Sequence, residues 1–180
     1  ADGGLGSANA AYRIHNELRC QNVESRMVVS RKWSKDKDVY RQCVTSSAIE
    51  LKIPAYLDAL PLKFHREVIG GYSTVGWFGR NPMVITKKLR PDIVNLHWLG
   101  LGFVNIQRLA EIKTPVVWRL ADEWALHGFM HYGDISQLAE DPRVNSLSRR
   151  YLRSLDQKVY NRKLEVYKQI NDLAIVTPSR

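Results

Sequence analysis

The chain has 180 residues, enough for one domain with a buried core. Hydrophobic residues make up 44% and charged residues 25%, which excludes disordered, collagen-like and repeat architectures. Lysine and arginine number 27 against 18 aspartates and glutamates, a net charge of +9. The longest apolar stretches, at 116–118 and 173–176, are far below the roughly 20 residues that a membrane-crossing helix requires. No basic-then-apolar leader opens the sequence. Cys20 and Cys43 stand in no metal-ligand spacing and read as free thiols of a reducing compartment.

The first six residues, Ala-Asp-Gly-Gly-Leu-Gly, form a glycine-rich loop, and a helix follows. Ser7 is suited to cap it, and Ser7, Ala11, Ile14 and Leu18 recur on one face. Residues 25–30, around Met27-Val28-Val29, read as a strand. Residues 31–38 are highly charged and read as an exposed loop. Between 44 and 62 the pattern allows a helix or two, interrupted by Pro54 and Pro61. Gly70, Gly71, Gly76 and Gly79 make the next stretch irregular, and 83–89 suits a short helix.

Regular patterning then returns. Ile93-Val94-Asn95-Leu96 and Val116–Leu120 are apolar runs of the kind that parallel strands covered on both faces display. The segment 103–112 between them fits a helix with Phe103, Ile106, Leu109 and Ala110 on one side, so 92–120 is a βαβ unit. The clearest long helix spans 145–171. Leu147, Tyr151, Leu155, Val159, Tyr160, Leu164, Tyr167 and Ile170 form its apolar set, with Arg149, Arg150, Arg153, Lys158, Arg162 and Lys163 on much of the rest. Leu173–Val176 follows as another buried strand, closed by Thr177-Pro178-Ser179. Strand and helix in alternation predict an α/β fold with a doubly wound parallel sheet. A glycine-rich loop normally follows a strand in such a sheet, so residues 1–180 read as one domain truncated at both ends, with a first strand and a further domain missing.

The loop Gly3-Gly4-x-Gly6-Ser7 suits an anionic or polyhydroxyl ligand, because glycines admit close approach and the helix start offers free N–H groups. A plain tight turn explains it as well. His97-Trp98 follows one strand, and Asp122 and Trp124 follow the next. Ligands of open parallel sheets bind beyond the carboxyl ends of the strands, so these residues and the glycine loop are expected to share one rim. His127 and His131 have the spacing of a helical metal pair, but Gly128 and Gly133 weaken the helix. Asp122 and Glu123 point in different directions on any regular backbone and make no acid–base pair. No nucleophile elbow and no phosphate-binding lysine loop is present. Nine basic residues between Arg143 and Arg180, against Asp156, Glu165 and Asp172, carry two thirds of the net charge. That field favours phosphorylated ligands, an anionic membrane surface or nucleic acid, or simply solvates a helix face. The tyrosines of 145–171 lie with the apolar set, which argues for core and against nucleic acid.

Four segments carry a resemblance. Gly3–His15, GGLGSANAAYRIH, looks like the glycine loop and first helix of family 4 glycosyltransferases of the bacterial exopolysaccharide and colanic-acid-type branch. Pro91–Trp98, PDIVNLHW, is similar to that group's PDIVHLHW strand. Thr114–Tyr132, TPVVWRLADEWALHGFMHY, resembles KPVVWTLHDMWAFTGGCHY, and Ile175–Arg180, IVTPSR, resembles the IVxPSxW strand. The resemblance covers most of the chain except about 31–85. It implies the N-terminal, acceptor-side Rossmann-like half of a two-domain GT-B enzyme. Such enzymes move sugar from a UDP- or GDP-sugar to a saccharide or lipid-linked acceptor in polysaccharide biosynthesis, with retention and without a bound metal or other cofactor. By position, Gly4, Gly6 and Ser7 face the donor phosphates or acceptor. His97 and Trp98 line the acceptor side, and Asp122, as the candidate catalytic residue, shapes the cleft with Trp124, His131 and Tyr132. Where the family has His before that Asp, this chain has Ala121. That histidine contacts the transferred sugar, so Ala121 leaves open a non-catalytic sugar- or nucleotide-binding module derived from such enzymes. The implied location is cytoplasmic, with the basic helix able to touch the inner face of the plasma membrane.

Overall fold

The computed structural model describes residues 2–4, 6–42, 48–65, 69, 73–133 and 135–177. Cys43, Gly70, Gly71, Pro178 and Ser179, and with them part of the IVTPSR segment, lie outside the described residues. The fold is mixed α/β with two small parallel sheets.

Helix α1 (Gly6–Cys20) begins at Gly6, so Ser7 lies inside its first turn instead of capping it. Its buried residues are Ala11 and His15. The inward face thus runs through a histidine that the apolar pattern does not select. Strands β1 (Met27–Val29) and β2 (Val39–Arg41) pair in parallel. The charged loop 31–38 between them is ordered by carboxylates. Asp2, itself buried, accepts the Trp33 and Ser34 amides at 2.7 and 3.0 Å. Asp36 binds Arg19 at 2.8 Å, and Asp38 takes the other Arg19 nitrogen at 3.1 Å.

Helix α2 (Ala48–Ala59) runs through Pro54 without ending there, and a 3-10 turn (Leu60–His65) containing Pro61 continues it. The proline therefore does not split the segment. Helix α3 (Met83–Leu89) ends on a left-handed Arg90.

The second sheet contains β3 (Val94–Leu96), β4 (Val116–Arg119) and β5 (Leu173–Val176), all parallel, with β4 in the middle. The connection from β3 to β4 is a 3-10 helix (Ile106–Glu111) and not the α-helix expected over 103–112. Asn105 caps it by accepting the Gln107 amide at 3.0 Å. The apolar set is the expected one: Ile106 and Leu109 are fully buried, with Phe103 and Ala110 packed beside them.

Register explains which face of this sheet is covered. Alternate residues fall in rows across it. Val94, Val116 and Leu173 form one row, and Leu96, Trp118 and Ile175 the next. These rows face a core shared with Leu109, Val166 and Ile170, except that Ile175 at the β5 edge is exposed. On the opposite face Asn95, Ala174 and Val176 are exposed. The strands are therefore covered on one face only, and β5 is not the buried strand its composition suggests.

After the short helix α4 (Ile135–Glu140), helix α5 (Ser146–Tyr167) is capped by Asn145, which accepts the Ser148 amide at 2.8 Å. Its inward stripe is Leu152, Leu155, Val159, Lys163 and Val166. Leu147, Tyr151 and Leu164 of the expected apolar set are exposed instead. The N-terminal half of α5 packs on a second core with Leu62, Val75 and Phe129, and its C-terminal end packs on the sheet core. Lys163, expected at the surface, is completely buried between the two. Among the described residues no helix is long and apolar enough to cross a membrane.

Candidate functional site

The carboxyl ends of β3 and β4 release two segments, 97–102 and 120–131, which meet over the sheet core. The Asp122 carboxylate sits where they join. Its Oδ2 accepts from the Trp98 indole at 2.7 Å and faces His131 Nδ1 at 2.6 Å, while Oδ1 accepts the Trp124 amide at 3.1 Å. Burial pushes the Asp122 carboxyl up. The hydrogen bond and charge of His131, together with the Trp124 amide and Trp98 indole, outweigh it, and its pKa lies below the ordinary carboxylate value.

His131 is buried and stacks on Trp124 with ring centroids 5.9 Å apart. Its Nε2 lies 2.8 Å from the Thr74 hydroxyl. A carboxylate can only accept, so in neutral His131 the hydrogen is on Nδ1 and Thr74 donates to Nε2. Thr74 Oγ1 in turn accepts the Leu101 amide at 3.3 Å, and Thr74 O accepts the Trp124 indole at 2.6 Å. The order Asp122–His131–Thr74 reproduces the spacing of a nucleophilic triad. It cannot work as one, because Thr74 and His131 are each only 1% exposed. No substrate carbon reaches the hydroxyl. The array is a brace that ties three distant segments into one floor.

Gly100 fits beneath this floor. A Cβ there would lie 2.6 Å from Trp98 Cζ2 and 3.0 Å from His131 Cε1.

Lys163 locks the 120–131 segment from behind. Its Nζ donates to the carbonyls of Trp124, His127 and Gly128, the latter two at 3.0 and 2.6 Å, and lies 3.7 Å from the Trp124 ring centroid. Tyr167 adds a hydrogen bond to the Ala125 carbonyl at 2.9 Å. Asp156 accepts the Phe129 amide at 3.0 Å. Burial pushes the Lys163 ammonium down to about 6, against the attraction of Asp156, Asp122 and Asp58. Sequence reasoning missed this residue by counting it with the solvated cations. The signal was the stripe 152, 155, 159, 166 and 170, whose one unfilled position is 163.

Above the floor lies a small recess of about 10 Å³, room for about one water, bordered by His97, Trp98, Trp118, Ala121 and Asp122. His97 Nδ1 is buried and has no hydrogen-bond partner among the described residues. Burial and the neighbouring Arg119 charge push this imidazole down to about 4, so it is neutral at pH 7. Ala121 contributes no polar atom beyond its backbone.

Of the residues singled out in the sequence, His97, Trp98, Asp122, Trp124 and His131 thus come together. Tyr132 follows at the rim and is exposed. Gly4, Gly6 and Ser7 belong elsewhere by their contacts: the segment's hydrogen bonds run from Asp2 to 33 and 34, and none joins it to this cluster among the described residues. His127 faces Glu123 at 3.5 Å while His131 is engaged by Asp122, so the two histidines do not converge as a metal pair. Asp122 and Glu123 diverge as their adjacency requires, one inward and one outward. Comparison with protein-family models, with curated protein sequences and with solved structures gives no match to the chain.

Proposed function

We propose that this chain is the acceptor-side, Rossmann-like half of a GT-B-type retaining glycosyltransferase of polysaccharide biosynthesis, working in the cytoplasm. It would take a saccharide or lipid-linked acceptor, and a second domain would supply most of the UDP- or GDP-sugar site. The observation that carries this reading is the gathering of His97, Trp98 and Asp122 around a small recess at the carboxyl ends of β3 and β4. The partly exposed indole of Trp98 can pack against the C–H face of a sugar ring, and a neutral imidazole nitrogen without a protein partner suits a hydroxyl. The order and spacing of the four sequence segments point to the same class. In this reading Asp122 orients Trp98 and His131 and supplies negative charge near the reacting sugar. By the resemblance, Gly4, Gly6 and Ser7 would face the donor phosphates or the acceptor.

The test is a screen for sugar transfer over UDP- and GDP-sugars by a polypeptide joining this chain to a donor-binding domain, with the chain alone as control. Transfer by the joined protein and none by the chain alone is the expected outcome. A folded joined protein that neither hydrolyses nor transfers any donor removes the enzyme reading.

A second reading, a non-catalytic sugar- or nucleotide-binding module, is favoured by one observation. Both Asp122 oxygens are already engaged by His131, Trp98 and Trp124, and Ala121 offers no side-chain donor beside them. Ala121→His separates the two. Transfer without that change supports the enzyme, and transfer only after it supports the module.

A further inference from the structure

Large apolar side chains stand uncovered on one side of the molecule. Along α2 and the 3-10 turn that continues it, Ile53, Tyr56 and Leu60 recur at i, i+3 and i+7, and Phe64 follows, 89% exposed. At the start of α5, Leu147 is 69% exposed, with Tyr151 one turn on. The two groups are contiguous. The Tyr151 hydroxyl donates to the Pro61 carbonyl at 2.9 Å, and the rings of His65 and Tyr151 lie 5.7 Å apart.

The exposed charges described within this patch are cationic. Lys52, Lys63 and Arg150 are exposed among its apolar residues, and the Lys63 ammonium lies 5.8 Å from the Tyr56 ring centroid. Within 52–65 and 144–155 the one acidic residue is Asp58. It is buried and spent on the backbone, accepting the Val75, Trp77 and Phe78 amides at 3.1, 2.9 and 3.1 Å. Nothing acidic in these segments therefore offsets the surface cations.

From this we infer that the α2–α5 face is a membrane-docking surface, seated on the headgroup layer of a bilayer rich in anionic lipid. Exposed tyrosine and phenylalanine beside lysine and arginine is the composition of an interfacial surface, in which rings enter the acyl boundary and cations meet headgroup phosphates. Each cation near an anionic leaflet strengthens partitioning roughly fivefold. A second copy of the chain fits poorly, since it would bring cations against cations on a molecule of net charge +9. Nucleic acid would use the cations but gains nothing from Ile53, Leu60 and Leu147.

Co-sedimentation of the full chain with phosphatidylcholine vesicles, with and without phosphatidylglycerol, tests this at low and high salt. Binding is expected only with phosphatidylglycerol, and weaker in high salt. Phe64→Ser should lower the partition coefficient roughly tenfold without changing the melting temperature, because the ring is exposed and makes no core contact. Lys63→Glu and Arg150→Glu should each lower it roughly fivefold or more and leave every apolar side chain in place. Lys113→Glu, the same charge change on an exposed lysine of the β3–β4 connection, should have little effect. No binding to anionic vesicles overturns the inference. So does an equal loss in Lys113→Glu and Lys63→Glu, or self-association through the patch in place of vesicle binding.

Discussion

Lys163 and His97 are two groups whose ionisation depends strongly on the fold, and both depend on it in the same direction. Lys163 binds a proton below about 6 in the folded chain and below about 10.5 once unfolded. Between those values the unfolded state holds the extra proton, so stability rises with pH across that window. His97 does the same between about 4 and 6.5. Urea unfolding of Lys163→Met against the parent chain should remove the rise between about pH 6 and 10.5. A flat difference between the two proteins across that range contradicts the assignment of this pH dependence to buried Lys163. In His97→Phe the loss of stability on acidification from pH 6.5 to 4 should be smaller than in the parent chain, which urea melts at fixed pH steps will show. An undiminished loss assigns it to other groups.

At the scale of elements, what the sequence discloses depends on how local its causes are. The strands β3 and β4 are legible because each is a short apolar run between turn residues, and the parallel order follows from the connecting segment. The buried face of that segment is legible in Ile106 and Leu109, whereas its 3-10 geometry is not: six residues capped by Asn105 satisfy an α-helical apolar pattern equally well. Helix α5 is legible in extent but not in face, since a buried lysine and exposed Leu147 and Tyr151 reverse the usual sorting. In the segment 31–82 the organising contacts are carboxylate-to-amide bonds over long sequence separations, from Asp2 to 33–34 and from Asp58 to 75–78. No periodicity marks those. The α5 strut depends on close approach at Gly128, where an added Cβ would lie 2.0 Å from Asp156 Oδ1. Gly128→Ala should displace that carboxylate from the Phe129 amide and destabilise the chain by about 2 kcal/mol or more in denaturant melts. A neutral substitution would show that Asp156 is free to move.

At the scale of the molecule, the site was partly legible for a positional reason. Residues that follow parallel strands gather at one edge of the sheet whatever lies between them, so His97, Trp98, Asp122 and Trp124 were bound to approach. Thr74 was not foreseeable, because it reaches the cluster from the irregular stretch, and Gly4, Gly6 and Ser7 belong by contact to the first sheet. The same arrangement separates the chemistry from the rest. Trp98 and a neutral His97 stand at one end of the second sheet, the brace of Asp122, His131 and Thr74 holds them from below, and Lys163 fixes the segment that carries Asp122 and His131.

Sugar binding at that opening is the central claim, and the five tryptophans of the chain report on it directly. A titration with candidate acceptor saccharides and UDP- and GDP-sugars, read from the five indole N–H signals in a ¹⁵N-correlated NMR spectrum, distinguishes them by position. Trp98, whose indole donates to Asp122, should shift saturably with one of these ligands. Trp33, exposed on the loop between β1 and β2, should stay where it is. Loss of the Trp98 response in Ala121→Trp, which fills the cavity, would place the ligand there. A spectrum in which Trp98 is unmoved by every ligand, or moves no more than Trp33, contradicts the assignment of this cavity as a sugar site.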